Sequence, residues 1–237
     1  MSYSKIKLAY SGKSKSLYET QDADKWIAEF RDDLTAFNGE KHEQLAKKGA
    51  LNSQINAHIM QLLAKKGVPT HFVKQLSQNE TLVKRLRMIP LESVVRNAAA
   101  GGICKRLGLP LGAELKPTVY ELFYKNDALG DPMVNGSHAL TFKWATLPEL
   151  EKMRDLSLEI NRILTKVFAK IGLQLVDAKF EFGFIGKDIY LGDEITPDSC
   201  RLWDMKTHKI LDKDRFRQDL GGVVEAYQEI ADRFKIN

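Results

Sequence analysis

An α+β fold in two lobes is predicted by three features of this 237-residue chain. Short β-rich runs crowd the first third. Long amphipathic stretches are interspersed later without strict strand–helix alternation, and a strand–turn–strand unit follows the longest of them. A doubly wound parallel sheet would demand regular alternation. The predicted first lobe is β-rich and antiparallel over residues 1–87. The second is mixed α/β over residues 88–237, and the break falls weakly near Arg87–Pro90.

Residues 6 to 30 read as strands, with β-rich runs at Lys15–Thr20 and Trp26–Phe30 and a turn at Ser11-Gly12-Lys13-Ser14. From Glu43 to Lys66 the apolar residues Leu51, Ile55, Ile59, Leu62 and Leu63 keep helical spacing. Gly67 and Pro69 then stop the helix. Further strand-like runs lie at Leu82–Leu86, Leu91–Val95 and Tyr120–Tyr124. The clearest helix spans Thr146 to Ile171. Thr146 and Glu149 make a capping box with Pro148 in the first turn, Met153, Ile160, Leu164 and Phe168 mark one face, and Gly172 ends it. A hairpin of Leu173–Ile185 and Ile189–Ile195 follows, joined at Gly186-Lys187-Asp188. A last helix is predicted over Asp214 to Phe234 with Phe216, Leu220, Val223, Tyr227, Ile230 and Phe234 inward.

Composition excludes several classes. With 43% hydrophobic and 28% charged residues the chain can bury a sizeable core, so neither disorder nor a fibre is expected. Two cysteines, Cys104 and Cys200, build no disulfide framework or zinc knuckle, which fits a reducing compartment. The longest stretch without Lys, Arg, Asp or Glu, residues 49–64, is studded with Asn, Gln, Ser and His and is no membrane span. No secretory signal is readable at the N-terminus, and a soluble cytoplasmic protein is expected. Lys plus Arg is 36 against 31 Asp plus Glu, a formal charge of +5. The basic residues are spread along the chain, so small anionic ligands are favoured and nucleic acid is not.

The hairpin carries the most chemistry. In Val176-Asp177-Ala178-Lys179-Phe180-Glu181-Phe182 the alternation is strict: Asp177, Lys179 and Glu181 share one face and the apolar residues the other. Asp and Glu are poor strand residues, yet two flank a lysine here, and the partner strand brings Gly192-Asp193-Glu194. Carboxylates converging from two strands suit Mg²⁺ bound to phosphates, and the lysine keeps them ionised. A three-residue loop places Asp193 opposite Glu181 on the polar face. A two-residue Gly186-Lys187 turn places it opposite Phe180 on the apolar face. The first register is favoured, because a carboxylate against an apolar face is costly.

Other candidates are weaker singly. Gly12-Lys13-Ser14-Lys15 offers amides and two lysines to a polyphosphate without Walker A spacing. Arg96-Asn97 runs into the small-residue turn 98–102, where a guanidinium can fork onto phosphate or carboxylate. Arg201, Lys213 and Arg217 are further basic candidates. None of the five histidines shows ligand spacing, and no nucleophile motif is present.

In order along essentially the whole chain stand Gly12-Lys13-Ser14-Lys15-Ser16-Leu17-Tyr18, Val68-Pro69-Thr70, Ile89-Pro90-Leu91-Glu92-Ser93-Val94-Val95-Arg96-Asn97, Lys125-Asn126-Asp127 with Asp131-Pro132, Asp177-Ala178-Lys179-Phe180-Glu181-Phe182-Gly183, Gly192-Asp193-Glu194, Pro197-Asp198-Ser199-Cys200-Arg201-Leu202-Trp203-Asp204 and Asp212-Lys213-Asp214-Arg215-Phe216-Arg217. In this the chain resembles the phosphoribosylaminoimidazole-succinocarboxamide synthase family of the short bacterial type. The resemblance implies an ATP-dependent amide ligase of purine biosynthesis. Such an enzyme joins L-aspartate to the carboxylate of carboxyaminoimidazole ribonucleotide and releases ADP and phosphate.

It also implies a two-lobed fold related to ATP-grasp and protein-kinase nucleotide-binding architecture, and a homodimer. Lys13 and Lys15 would lie over the ATP phosphates, with Lys84 and Met88 in the connection that holds the adenine. Glu181 and Asp193 would bind Mg²⁺. Lys125 and Lys179 would sit at the phosphates or the reacting carboxylate, and Arg96, Arg201, Lys213 and Arg217 on the ribonucleotide. Asp177 and Asp131 would stand behind these groups or on a substrate. Two departures fall on the substrate side. Gly102 replaces the usual Ser, which removes one hydroxyl worth about 1 kcal/mol as a neutral hydrogen bond. Gly130 stands where relatives often carry His. A divergent ligase with another amine or carboxylate is the alternative these departures motivate. A non-catalytic nucleotide-binding module is the alternative from another class.

Overall fold

The structure is a computed structural model and describes residues 2–236. Its first sheet is antiparallel and five-stranded, from β1 (Lys7–Ser11), β2 (Lys15–Glu19), β3 (Lys25–Phe30), β6 (Phe72–Gln75) and β7 (Glu80–Lys84), in the order β1-β2-β3-β7-β6. β4 (Asp33–Ala36) and β5 (Lys41–Gln44) form a separate hairpin. The second sheet, also antiparallel, is six-stranded. Its order is β10 (Met133–Val134), β9 (Glu114–Tyr124), β8 (Arg87–Ala98), β11 (Leu173–Ile185) and β12 (Asp188–Leu191), with β13 (Cys200–Asp204) also on β11. The chain passes from one sheet to the other between Lys84 and Arg87, and the cleft opens between them.

The helices are α1 (Lys48–Lys65), α2 (Gly102–Leu107), α3 (Gly136–Thr141), α4 (Leu147–Lys170), α5 (Asp214–Arg217) and α6 (Val223–Phe234). One core joins Ile55 and Ile59 of α1, Met153 and Ile160 of α4, Phe180 of β11 and Tyr227 of α6, all at most 1% exposed. Helix α1 therefore packs with elements of the second lobe although it lies early in the chain. The capping box of α4 forms as predicted, the Thr146 N–H donating to Glu149 Oε2 at 2.7 Å.

Three local expectations need correction. The first helix begins at Lys48 rather than Glu43, because Lys41–Gln44 pairs with β4 and Lys47 turns the chain at φ 73°. The last helix is two helices. Gly221 and Gly222 take φ of 63° and 60°, a left-handed break glycine adopts without steric cost, and Leu220 is 48% exposed instead of inward. The hairpin β11–β12 has the two-residue Gly186-Lys187 turn, since Ile185 pairs Asp188 and Phe182 pairs Leu191.

A bulge between Leu175 and Asp177 also interrupts the strict alternation. Leu173 and Leu175 before it, and Ala178, Phe180 and Phe182 after it, all enter the main core. Val176 instead joins a small cluster with Ala98, Ala100 and Trp203.

Candidate active site

The cleft encloses about 990 Å³ and is lined by every predicted site residue except Gly102. Gly102 stands at the start of α2, outside the lining, where an added Cβ would be 3.0 Å from Arg106 Nη1.

The overturned register does not carry Asp193 to the apolar face. The ladder ends at Leu191, and one further bond follows it, the Gly192 N–H donating to Glu181 O at 2.9 Å. Asp193 then takes φ 51°, a left-handed conformation that Asp tolerates better than most side chains. Its carboxylate thereby meets the polar side of β11. Lys179 Nζ lies 2.5 Å from Glu181 Oε1, 2.9 Å from Glu92 Oε1 and 3.6 Å from Asp193 Oδ2. Lys125 pairs with the second oxygen of Glu181, and Lys15 with Asp193 and, at 3.5 Å, with Glu194 Oε2. Three ammonium groups and four carboxylates thus interlock where the two sheets meet. Glu92 faces Glu181 directly across the β8–β11 register, and Lys179 bridges the two like charges.

The charges answer one another. Burial draws the Lys15, Lys125 and Lys179 pKa values down, but the carboxylates raise all three above the ordinary lysine value on balance. Burial raises Asp193, yet Lys15, Lys179 and Lys125 hold it well below the carboxylate range. Glu92 and Glu194 remain raised, burial being the first cause for each. Among the described residues no three His, Cys, Asp or Glu side chains stand as a metal cage. Glu181 and Asp193 nevertheless converge on one ammonium. That is a hard-oxygen pair of the kind that binds Mg²⁺ when phosphate oxygens and water complete the shell.

A second constellation adjoins the first. Asp177 lies opposite Arg96 on β8 and opposite Arg201 on β13, and its Oδ2 accepts from Arg96 Nη1 at 2.7 Å and Arg201 Nη1 at 2.8 Å. Arg201 Nε reaches Asp214 at 2.7 Å, and Asp214 also receives Arg217. The Arg201 guanidinium rests on the Gly101 backbone, where any Cβ would collide with it. Lys213 has no carboxylate partner among the described residues, and burial lowers its pKa to about 8.

At the mouth, Lys13 pairs with Asp127 at 2.7 Å across the cleft. Lys84 Nζ donates to Thr70 O at 3.3 Å and stands over the Tyr190 ring. Met88 lies over Gly183 and Gly192. Asp131 Oδ1 accepts the Asn126 N–H at 2.8 Å, and Gly130 closes the preceding turn at φ 72°, a conformation that favours glycine there.

Glu92, Glu194 and Asp214 also join these ion pairs; each lies inside a motif quoted above that assigns it no role. An acid within an apolar strand was the available signal for Glu92. Glu121, buried on β9, and Arg106 on α2 were missed altogether, and nothing in their local pattern marks them.

Interlocked lysines and acids beside paired arginines in one cleft define an enzyme site that gathers several anions. The chain matches the family model described as SAICAR synthetase over residues 8–234. It is 62% identical over 236 residues to a phosphoribosylaminoimidazole-succinocarboxamide synthase of Coxiella burnetii, covering 100% of this chain and 98% of that protein. Among solved structures, the phosphoribosylaminoimidazole-succinocarboxamide synthase from Ehrlichia chaffeensis superposes with a TM-score of 0.95 at 45% identity, covering 98% of this chain and 99% of that one. A Type-2 SAICAR synthetase in complex with ADP gives 0.92 at 48% identity, covering 94% and 96%. The chain belongs to the SAICAR synthetase family.

Proposed function

We propose that this chain is an ATP-dependent carboxylate–amine ligase of purine biosynthesis. It joins L-aspartate to carboxyaminoimidazole ribonucleotide and releases ADP and phosphate. The observation that carries the reading is the pairing of Glu181 and Asp193 on Lys179 beside the Arg96–Asp177–Arg201 group. This pairing supports a polyphosphate site next to a site for a second anion. Full-length identity to relatives named for this synthase, and a related structure holding ADP, support it.

A carboxylate does not acylate an amine in water, because oxide is a poor leaving group. Transfer of the terminal phosphoryl group to the carboxylate oxygen gives an acyl phosphate. The amine nitrogen then attacks the acyl carbon, the C–O bond to phosphate breaks, and the nitrogen loses a proton. The residues bring three anions together and offset their charge. Lys13 and Lys15 lie over the phosphates, with Lys84 and Met88 at the base. Lys125 and Lys179 steady the phosphoryl group in transfer. Arg96 and Arg201 take the ribonucleotide with Lys213 and Arg217, while Asp177 holds the two arginines and Asp131 the loop beside them; Gly102, outside the cleft lining, is left without the substrate contact expected of it. Glu181 and Asp193 fit Mg²⁺, which when bound offsets phosphate charge. Residues 1–87 and 88–237 act as the two walls. The resemblance supports reading the protein as a cytoplasmic homodimer. No helix among the described residues is long and apolar enough to cross a membrane.

A coupled ADP-release assay with each substrate omitted in turn tests the reading. ADP release is expected only with ATP, aspartate and the carboxylated ribonucleotide together. Turnover with another amine in place of aspartate, and none with aspartate, would favour a divergent ligase instead.

A further inference from the structure

The arginine group continues beyond the cleft. Arg96 Nε donates to Glu121 Oε2 at 2.7 Å, and the other oxygen of Glu121 receives Arg106 Nη2. The full ladder is Arg217–Asp214–Arg201–Asp177–Arg96–Glu121–Arg106, four guanidiniums alternating with three carboxylates. Glu121 is 4% exposed and lies outside the cleft lining, as does Arg106. The Arg106 guanidinium stands 5.7 Å over the Phe123 ring and close above Gly102, in space that glycine leaves open. Arg96 is held on two edges, by Glu121 at Nε and by Asp177 and the Ala100 carbonyl at Nη1. Its Nη2 carries no hydrogen bond among the described residues, and Arg96 lines the cleft.

We infer that Glu121 and Arg106 are positioning residues for the phosphate-bearing substrate: Glu121 fixes the plane of the Arg96 guanidinium, and Arg106 fixes Glu121. This rests on the reading that Arg96 and Arg201 meet the ribonucleotide phosphate. Two consequences of removing the Glu121 charge oppose each other. Through space, one anion fewer beside the site favours phosphate binding. Through Arg96, the loss of one anchoring carboxylate frees the guanidinium to rotate, and its planar fork no longer meets phosphate edge-on. The ladder geometry makes the second effect dominate.

The test is Glu121→Gln, which keeps the shape of the side chain but not its charge. Calorimetric titration with ribose 5-phosphate reads phosphate affinity without turnover, and ADP titration serves as the control. Affinity for ribose 5-phosphate is expected to fall about tenfold, the scale of one charge-assisted hydrogen bond, with ADP affinity unchanged. In steady state, KM for the ribonucleotide should rise while KM for ATP holds. Unchanged or tighter ribose 5-phosphate binding, or parallel losses for ADP, would overturn the inference. Arg106→Lys, on a half-exposed side chain that folding tolerates, keeps charge without the fork and is expected to weaken the same affinity several-fold. A wild-type protein that binds ribose 5-phosphate but turns over no ribonucleotide would count against the proposed ligase activity and leave the positioning test readable.

Discussion

Glu181→Gln separates activity from stability. Glu181 is 2% exposed and receives Lys125 on one oxygen and Lys179 on the other. Hydrogen bonds to charged groups contribute about 1.5–3 kcal/mol each, so losing both outright would cost about 3–6 kcal/mol. Both lysines have alternatives. Lys179 retains Glu92 at 2.9 Å and Asp193 at 3.6 Å, and the Lys125 side chain is 37% exposed and can turn to water. The amide oxygen also still accepts one bond. The remaining stability loss is about 1–2 kcal/mol, a fall in Tm of a few degrees at about 2–4 °C per kcal/mol for a chain of this size. The activity loss is set by the charge in the transition state. Removing one of the two carboxylates of the proposed Mg²⁺ site should lower kcat about 10²-fold or more, the scale of one preorganised electrostatic group. Coupled ADP release and differential scanning calorimetry on the same preparation read the two quantities. A variant within threefold of wild-type kcat would refute the role given to Glu181, and a collapse of Tm would refute the argument that its lysines have other partners.

Lys213→Met is expected to raise the Tm of the unliganded protein at pH 7 by an amount worth about 1–2 kcal/mol, since it removes a half-buried ammonium that forms no salt bridge among the described residues. In wild type the folded pKa, about 8, lies below the unfolded value of 10.5, so the unfolded chain binds the extra proton between them. The cost is complete below pH 8 and disappears as pH rises to 10.5. Melting curves for both proteins from pH 7 to 10.5 should therefore converge, and a constant gap would count against this cause. Chelating Mg²⁺ should abolish ADP release and remove most of the Tm increase produced by ATP, which at a hundredfold excess over Kd is worth about 2.7 kcal/mol; a thermal shift insensitive to chelator would argue against the metal. Gly183→Ala places a Cβ 2.8 Å from Leu86 Cβ and 3.0 Å from Arg87 O, so it should cost about 1–3 kcal/mol and raise KM for ATP by displacing the 84–88 connection. Gly192→Ala meets only side-chain ends at 3.1 Å or more and should be milder on both counts; the reverse ranking would refute the packing argument.

What was legible in the sequence was what local rules encode. The capping box of α4 and the polar face of β11 depend on neighbours a few residues apart, and both formed where the pattern put them. The long-range pairings were not encoded this way. Arg96 and Glu121 meet only because β8 and β9 align in one register, and Arg96 meets Asp177 only because β8 and β11 align in another. No spacing along the chain announces either. The split of the final helix could have been read from Gly221-Gly222, two poor helix residues inside an otherwise amphipathic run. The hydrophobic periodicity on either side, Phe216 and then Val223 and Tyr227, stays in phase across the break and hides it.

Asp193 reaches the polar side of β11 by a different pairing from the one expected. Alternation assigns a residue to a face only while the strand continues, and here it ends at Leu191. The turn that would have buried the carboxylate against Phe180 is the one adopted, and the left-handed step at Asp193 undoes its consequence. A positive φ at a non-glycine residue is tolerated where surrounding contacts hold it. At Asp193 those contacts are the ion pairs to Lys15 and Lys179. The same ammonium groups are the ones assigned to phosphate, so nucleotide binding must loosen the pairs that hold Asp193 while a divalent cation replaces them. If Glu181 and Asp193 take Mg²⁺ as proposed, metal and nucleotide should bind cooperatively, because either alone leaves the lysines or the carboxylates short of counter-charge; ADP titrations with and without Mg²⁺ check this, and equal affinities would refute it.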